Sequence, residues 1–166
     1  MTTPQTLREG LDAYYRANPN FVRDRDLPLG WLTIPWHDLQ RHDIMHVVTG
    51  YSTALADEMQ LVGFLLTALT WRRPWTYYLQ SIGVALEITW RASWRQPVGA
   101  AAMTYGPIDI VRFYLAGARQ GLTVRRRINA YIDPAIVLDQ PLADLRRYYG
   151  IDNAGAWDTP WGASSN

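Results

Sequence analysis

Two neighbouring segments, residues 52–71 and 75–94, constrain the fold most, because apolar residues recur along both at helical spacings of three and four. In the first segment these residues nearly surround the helix, and a helix that is apolar on most sides is covered only in the middle of a bundle. Arg72-Arg73-Pro74 separates the segments, and their charge-free runs fall short of the roughly 18 residues that a membrane-spanning helix needs. The sequence therefore predicts an all-α, single-domain helical bundle without an integral membrane helix.

Shorter periodic segments complete the predicted bundle. Thr3-Pro4 marks the expected cap and first turn of a helix that ends before Asn18-Pro19, and residues 19–35 are predicted to be irregular because prolines and charges crowd them. The other predicted helices run from about 36 to 49 with Gly50 as the stop, from 108 to 119 closed by Gly121, and from 141 to 149 stopped at Gly150.

No second folded unit is expected. We predict no strand pairing, no internal repeat and no further domain, so residues 1–151 form a single helical domain. Residues 152–166 have the Gly, Ala, Ser and Asn content of a C-terminal tail, and Trp157 and Trp161 are the side chains that could pin it to the domain.

Two absences in the composition exclude several classes of chemistry. The chain has no cysteine, which excludes disulfides, Cys-ligated zinc, iron–sulfur clusters and thiol catalysis. All 16 basic residues are arginine, and without lysine neither a Schiff base nor a P-loop can form. Imidazole is available only at His37, His42 and His46, which lie within ten residues of one another. The search for a reactive site therefore begins there.

The informative stretch is His42-Asp43-Ile44-Met45-His46. On a helix, His42 and His46 lie one turn apart on one face, a spacing at which two imidazoles can hold one metal ion. Asp43 could be a further ligand, or could accept the second ring N–H of a ligand and set its tautomer. His37 lies about 140° around the helix from His42 and is read as a capping or packing residue. The alternative for the pair is an ordinary pair of surface or core histidines.

Glu58 is the candidate for the next ligand, because it sits in an otherwise apolar helix where an unpaired carboxylate would be costly. In one continuous helix it would lie about 24 Å from His42, too far to share an ion. A break at Gly50-Tyr51 would let the second helix fold back and bring Glu58 opposite the histidines. The predicted metal site therefore lies between two central helices.

These residues resemble a known family. The pattern His42-Asp43-Ile44-Met45-His46, eleven residues, then Glu58 is similar to the signature of the Coq-four family of ubiquinone (coenzyme Q) biosynthesis proteins. Residues 46–51 and 141–151 also resemble stretches of that family. The chain departs from the family pattern at Asp57, where glycine is usual, and in residues 125–137, which lack an expected tryptophan-rich pattern.

The resemblance implies an α-helical protein whose metal-binding and catalytic residues are His42, Asp43, His46 and Glu58. The implied substrate is a polyprenylated 4-hydroxybenzoate-type precursor, and the implied reaction is oxidative decarboxylation, which replaces the carboxyl group on ring carbon 1 by a hydroxyl. One divalent ion is expected. The family site is usually described as zinc, but zinc has no redox chemistry, and two histidines with one carboxylate suit Fe²⁺ better; Mn²⁺ is a further candidate.

The expected location is peripheral, on the cytoplasmic side of a membrane, or on the matrix side of the mitochondrial inner membrane in a eukaryote. Arg72-Arg73 and Arg125-Arg126-Arg127 are either solvated turns or contacts to an anionic membrane surface. The aromatic residues of segment 71–94 are either core or the wall of a tunnel for a prenyl tail, and Glu87 is read as structural. Other quinone-biosynthesis proteins and a second copy of the chain are the candidate protein partners; nucleic acid is not expected.

Two alternatives to the enzyme stay open. The first is a non-catalytic protein that binds prenyl lipids or organises a quinone-biosynthesis complex, with a structural metal. The second is an HD-type metal phosphohydrolase, because His42-Asp43 is an HD dipeptide. That class needs further histidine ligands from other helices, and the chain has no histidine outside residues 37–46, so it ranks last.

Overall fold

The computed structural model describes residues 6–19, 21–29, 32–70 and 105–156, and these residues are mostly helical, as predicted. The described helices are α1 Leu7–Ala17, α2 Trp36–Thr49, α3 Leu55–Ala68, α4 Pro107–Leu122, α5 Pro134–Val137 and α6 Leu142–Tyr149. The predicted helix at 75–94, with Glu87 and the arginine pair before it, lies outside the described residues, as do Trp157 and Trp161.

The prediction of no strand pairing is wrong. Strands β1 Leu27–Leu29 and β2 Leu32–Ile34 pair antiparallel inside the segment predicted to be irregular, and β3 Leu69–Thr70 pairs in parallel with β4 Ile128–Asn129. Strands of two or three residues are too short to show an alternating pattern in the sequence. They connect helices and leave the predominantly helical architecture unchanged.

Helix α1 begins later than the sequence indicated. Its cap is Thr6 rather than Thr3: the Thr6 hydroxyl accepts from the backbone N–H of Glu9, and the Glu9 carboxylate accepts from the Thr6 N–H. This capping box satisfies two backbone donors that a helix start leaves unpaired. The predicted apolar stripe is buried, with Leu7, Leu11, Tyr14 and Tyr15 all at most 7% exposed, and it packs against α2.

Helix α2 is fixed at its C-terminal end from three directions. Gly50 ends it in the left-handed conformation, at φ +75°, as the sequence predicted. The Arg146 guanidinium of α6 donates to the carbonyls of Val47 and Val48 at 2.9 and 2.8 Å. The beginning of the C-terminal tail adds two backbone bonds, since the N–H groups of Ala154 and Ala156 donate to Thr49 and Gly50. The helix that carries both site histidines therefore has a well-anchored end.

Helices α3 and α4 approach so closely that their backbones touch. A Cβ atom added at Gly63 would lie 2.0 Å from the Tyr114 carbonyl oxygen, and one added at Gly117 would lie 1.8 Å from that of Gln60. Gly121, predicted to close α4, lies inside that helix and packs against the Phe64 carbonyl. Its role is close helix contact rather than termination.

The predicted arginine cluster at 125–127 makes contacts within the domain. Arg126 lies 4.5 Å above the Tyr148 ring, and Arg127 donates to the carbonyl of Thr67 at 2.9 Å. Among the described helices none has the length and apolar character to cross a membrane.

Candidate metal centre

The turn after α2 brings three of the four predicted ligands together. His42 and His46 lie one turn apart on α2, and Glu58 lies in the first turn of α3. Glu58 Oε2 is 3.4 Å from His42 Nε2, Glu58 Oε1 is 3.2 Å from His46 Nε2, and the two Nε2 atoms are 3.2 Å apart. The chain reversal at Gly50-Tyr51 that the sequence required is therefore present.

These three side chains form a group that could hold a metal ion. Donor atoms about 2.0–2.2 Å from a tetrahedral ion lie about 3.3–3.6 Å from one another, close to the three separations observed here. Two imidazoles and a carboxylate suit Zn²⁺, Fe²⁺ and Mn²⁺. The donor set and its spacing therefore fit one divalent ion.

The orientation of the His46 ring also favours a cation. Its Nδ1 lies 3.2 Å from the Tyr51 carbonyl oxygen, which can only accept, so Nδ1 carries the proton. In the neutral ring, Nε2 then presents a lone pair to the Glu58 carboxylate and to His42 Nε2. The lone pair of His46 Nε2 and the Glu58 carboxylate therefore face each other, and they repel unless a proton or a metal ion lies between them.

Asp43 lies beside this group but faces elsewhere. Its carboxylate is 2% exposed and accepts the hydroxyl of Tyr14 at 3.1 Å on one oxygen and that of Tyr15 at 2.9 Å on the other. The Tyr14 ring also stacks on the His46 ring, with centroids 5.4 Å apart. The structure thus brings together three of the four predicted ligands and places the fourth on two tyrosines of α1.

The charges of the site are strongly coupled. Burial opposes protonation of His42, but its hydrogen bond to Glu58 and the Glu58 charge outweigh burial and raise the pKa of His42. Burial opposes ionisation of Glu58, but His42 and His46 outweigh it and hold the pKa of Glu58 well below its usual range. Without an ion, a proton on His42 can balance the charge of the Glu58 carboxylate.

Burial dominates the tyrosine side of the site. It raises the pKa of Asp43, against the opposing effect of His42 and of the tyrosine hydrogen bonds. Burial and the Asp43 charge raise the pKa of Tyr14 and of Tyr15 above the ordinary range, so both hydroxyls keep their protons and donate.

Asp57, where the family usually has glycine, does not point into the metal-binding group but bonds to Ser52. One of its oxygens accepts from the backbone N–H of Ser52 at 2.9 Å and from the Ser52 hydroxyl at 2.6 Å. These bonds tie the turn after α2 to the first turn of α3 and so help to position Glu58. The Asp57 carboxylate therefore stabilises the turn between α2 and α3.

Three residues of the site were not identified from the sequence. Tyr14 and Tyr15 were expected only as members of the apolar stripe of α1, and Tyr51 contributes a backbone carbonyl, which no side-chain pattern reveals. Two adjacent tyrosines on a buried face were the available signal, because buried hydroxyls need an acceptor. His37 is exposed and pairs with Asp38 at 3.6 Å, in agreement with its exclusion from the site.

Comparison of the chain with protein-family models, with curated proteins and with solved structures found no match. The resemblance described above therefore rests on the motif residues.

Proposed function

We propose that this chain is a metal-dependent protein of ubiquinone biosynthesis that acts on a polyprenylated 4-hydroxybenzoate-type precursor and replaces its ring carboxyl by a hydroxyl. The observation that carries the proposal is the convergence of His42, His46 and Glu58, the spaced residues of the family motif, within 3.4 Å of one another. These residues lie 12 and 16 positions apart in sequence, and the turn between α2 and α3 brings them together, as a shared site requires.

His42, His46 and Glu58 would hold the ion, which when bound supplies a Lewis acid for a carboxylate or phenolate oxygen. A count of three protein ligands is typical of catalytic rather than structural zinc sites. The side chains of His42 and Glu58 are 32% and 25% exposed, whereas that of His46 is fully buried. A substrate would therefore approach from the side of His42 and Glu58, and His46 would lie at the buried end of the site.

The electron balance of the proposed reaction constrains which metal ion can support it. Replacing a carboxyl by a hydroxyl and releasing CO₂ is a two-electron oxidation, so it needs an electron acceptor such as dioxygen. Zinc cannot exchange electrons with such an acceptor, whereas Fe²⁺ and Mn²⁺ can. We therefore expect iron or manganese to support turnover, and zinc to bind the same residues without supporting it.

The path of the prenyl tail is proposed to lie along the surface. In the described core, the apolar cavity lined by Ile44 and Leu145 measures about 10 Å³, room for about one water. Helix α4 presents exposed apolar side chains at Ile108, Val111 and Leu115, with the exposed Arg112 among them. Such a stripe suits a peripheral contact with an anionic membrane, from which a long-tailed precursor would be taken.

A non-catalytic protein is the second candidate, and the burial of His46 favours it. An ion held by α2 and α3 would tie the two helices together and could serve the fold alone. No observation on the described residues favours the HD-type phosphohydrolase, because the aspartate of the HD dipeptide, Asp43, accepts hydrogen bonds from Tyr14 and Tyr15 and does not join the histidines.

Complementation of a quinone-deficient host separates enzyme from scaffold. Glu58→Gln nearly keeps the shape of the side chain but removes a ligand charge, and loss of such a group commonly lowers rate about 10²-fold or more. We expect the carboxylated prenyl-phenol to accumulate at normal protein level. His37→Gln, a histidine exchange outside the group, is the matched control and should support normal quinone synthesis. Normal quinone with Glu58→Gln at normal protein level would show that the site is not catalytic.

A further inference from the structure

The geometry points to Asp43 as a positioning residue that stands outside the metal's ligand set and orients His46 through Tyr14. This inference rests on the metal centre of the proposed function and differs from the ligand role that the motif resemblance implies for Asp43. It is carried by the contacts of the carboxylate, of the two tyrosines and of the His46 ring.

Both oxygens of Asp43 are already engaged. Each accepts one tyrosine hydroxyl, and all three side chains are buried, with Asp43 2%, Tyr14 1% and Tyr15 7% exposed. The Asp43 oxygens do not belong to the group of donor atoms that lie within 4.8 Å of one another, so to bind an ion there the carboxylate would have to turn away from its tyrosine hydroxyls. A buried hydroxyl would then lack its acceptor, which is unfavourable. Position 43 also lies about 100° around α2 from His42, on the side that faces α1.

Tyr14 transmits the position of Asp43 to the site. Its hydroxyl is fixed by Asp43, and its ring stacks on His46 with an angle of 26° between the ring planes. The Tyr51 carbonyl fixes the same imidazole at Nδ1. His46 is thus held on one ring face and at one nitrogen, which leaves Nε2 aimed at Glu58. Groups that orient a ligand in this way commonly change metal affinity about 10–100-fold when they are removed.

The test is a double-mutant cycle read by Co²⁺ binding to the full chain. Asp43→Asn, Tyr14→Phe and the double variant are compared with wild type for Co²⁺ affinity, by chelator competition, and for the visible absorption spectrum of bound Co²⁺, which reports the ligand set. Glu58→Gln supplies the spectrum of true ligand loss. Tyr15→Phe is the matched control, because Tyr15 also bonds Asp43 but packs edge-on against Tyr14 rather than on His46.

We expect Asp43→Asn and Tyr14→Phe each to weaken Co²⁺ binding about tenfold and to leave the spectrum of the bound ion unchanged. The double variant should lose little more than either single variant, because both changes break one connection. Tyr15→Phe should lose less than Tyr14→Phe.

A spectrum of Asp43→Asn that matches Glu58→Gln would overturn the inference, and so would losses that multiply in the double variant. If Asp43→Asn fails to fold, unchanged affinity in Tyr14→Phe decides against it. Wild type that binds no Co²⁺ would overturn the metal centre and both proposals with it. If the four proteins show the expected cycle of Co²⁺ affinities but the wild type supports no quinone synthesis, the proposed function alone would be overturned.

Discussion

The two sides of the domain are joined in different ways. Helix α4 meets α3 backbone to backbone at Gly63, Gly117 and Gly121, and the main polar addition there is the Thr67 hydroxyl, which donates to the Ala118 carbonyl at 2.8 Å. Helix α2 is instead joined to α1 and α6 by side chains: two tyrosine hydroxyls on Asp43, and the Arg146 guanidinium on two α2 carbonyls.

The two kinds of contact have different consequences for the two helices that carry the site. Backbone contact fixes α3, which carries Glu58, because close packing leaves no space for adjustment. The side-chain network fixes α2 through groups that can themselves be charged, polarised or protonated. The contacts of Glu58 with His42 and His46 connect the two regions. A metal ion there would thus join a ligand on a sterically fixed helix to two ligands on a helix held by hydrogen bonds.

The largest effect is expected at the backbone contact. In Gly117→Ala the new Cβ would meet the Gln60 carbonyl oxygen at 1.8 Å, so the helices must separate. Overpacking of a buried contact costs about 1–3 kcal/mol and occasionally more, and we expect about 3 kcal/mol here because backbone rather than a flexible side chain must move. Urea denaturation measures the loss. Gly106→Ala, whose new Cβ would find its nearest neighbour at 3.6 Å, is the control and should stay within about 1 kcal/mol of wild type. Equal losses would show that α3 and α4 are not in close contact.

A smaller effect is expected where side chains hold α2. Arg146→Ala removes two hydrogen bonds from a charged donor to the end of α2, for an expected loss of about 2 kcal/mol. Arg147→Ala is the matched control, since that side chain is 74% exposed and pairs only one turn away with Asp144. Its loss should be under about 1 kcal/mol. The same denaturation experiment compares them, and a loss from Arg147→Ala as large as from Arg146→Ala would remove the assigned role of Arg146.

The smallest effect, a pH dependence, is expected to distinguish the two regions, because the glycine contacts and the Thr67 hydrogen bond between α3 and α4 involve no titratable group. The lowered pKa of Glu58 gives stability that is present above its ordinary value of about 4.3 and is lost as pH falls. The raised pKa of Asp43 has the opposite sign and offsets part of that loss. The raised pKa of His42 gives stability that is complete below about 6.5 and is lost as pH rises through the raised value.

Metal-free protein should therefore be most stable between these limits, at about pH 5–6. Metal affinity should increase with pH across the titration of His42, because an ion competes with its proton. Denaturation midpoints across pH, with and without Zn²⁺, check both expectations. Glu58→Gln should flatten the profile, and an unchanged profile in that variant would contradict the assignment.

The sequence by itself determined the local features of the fold. Gly50 and Gly150 end α2 and α6 in the left-handed conformation, as glycine after a helical segment predicts. The spacing of His42 and His46, with a break before Glu58, was sufficient to predict that the three would meet. Each of these depends on residues within 16 positions of one another, where the helical repeat and a single turn set the geometry.

The tertiary structure decided what depends on approach between distant segments. The partners of Asp43 come from α1, 28 and 29 residues away, and no local pattern distinguishes a carboxylate that will face a metal from one that will face two hydroxyls. Gly121 was predicted to end a helix, but the helix continues through it, because what it provides is closeness to α3. Local conformation is encoded in neighbouring residues, whereas the choice among possible partners is made only when helices pack and buried polar groups must all be satisfied.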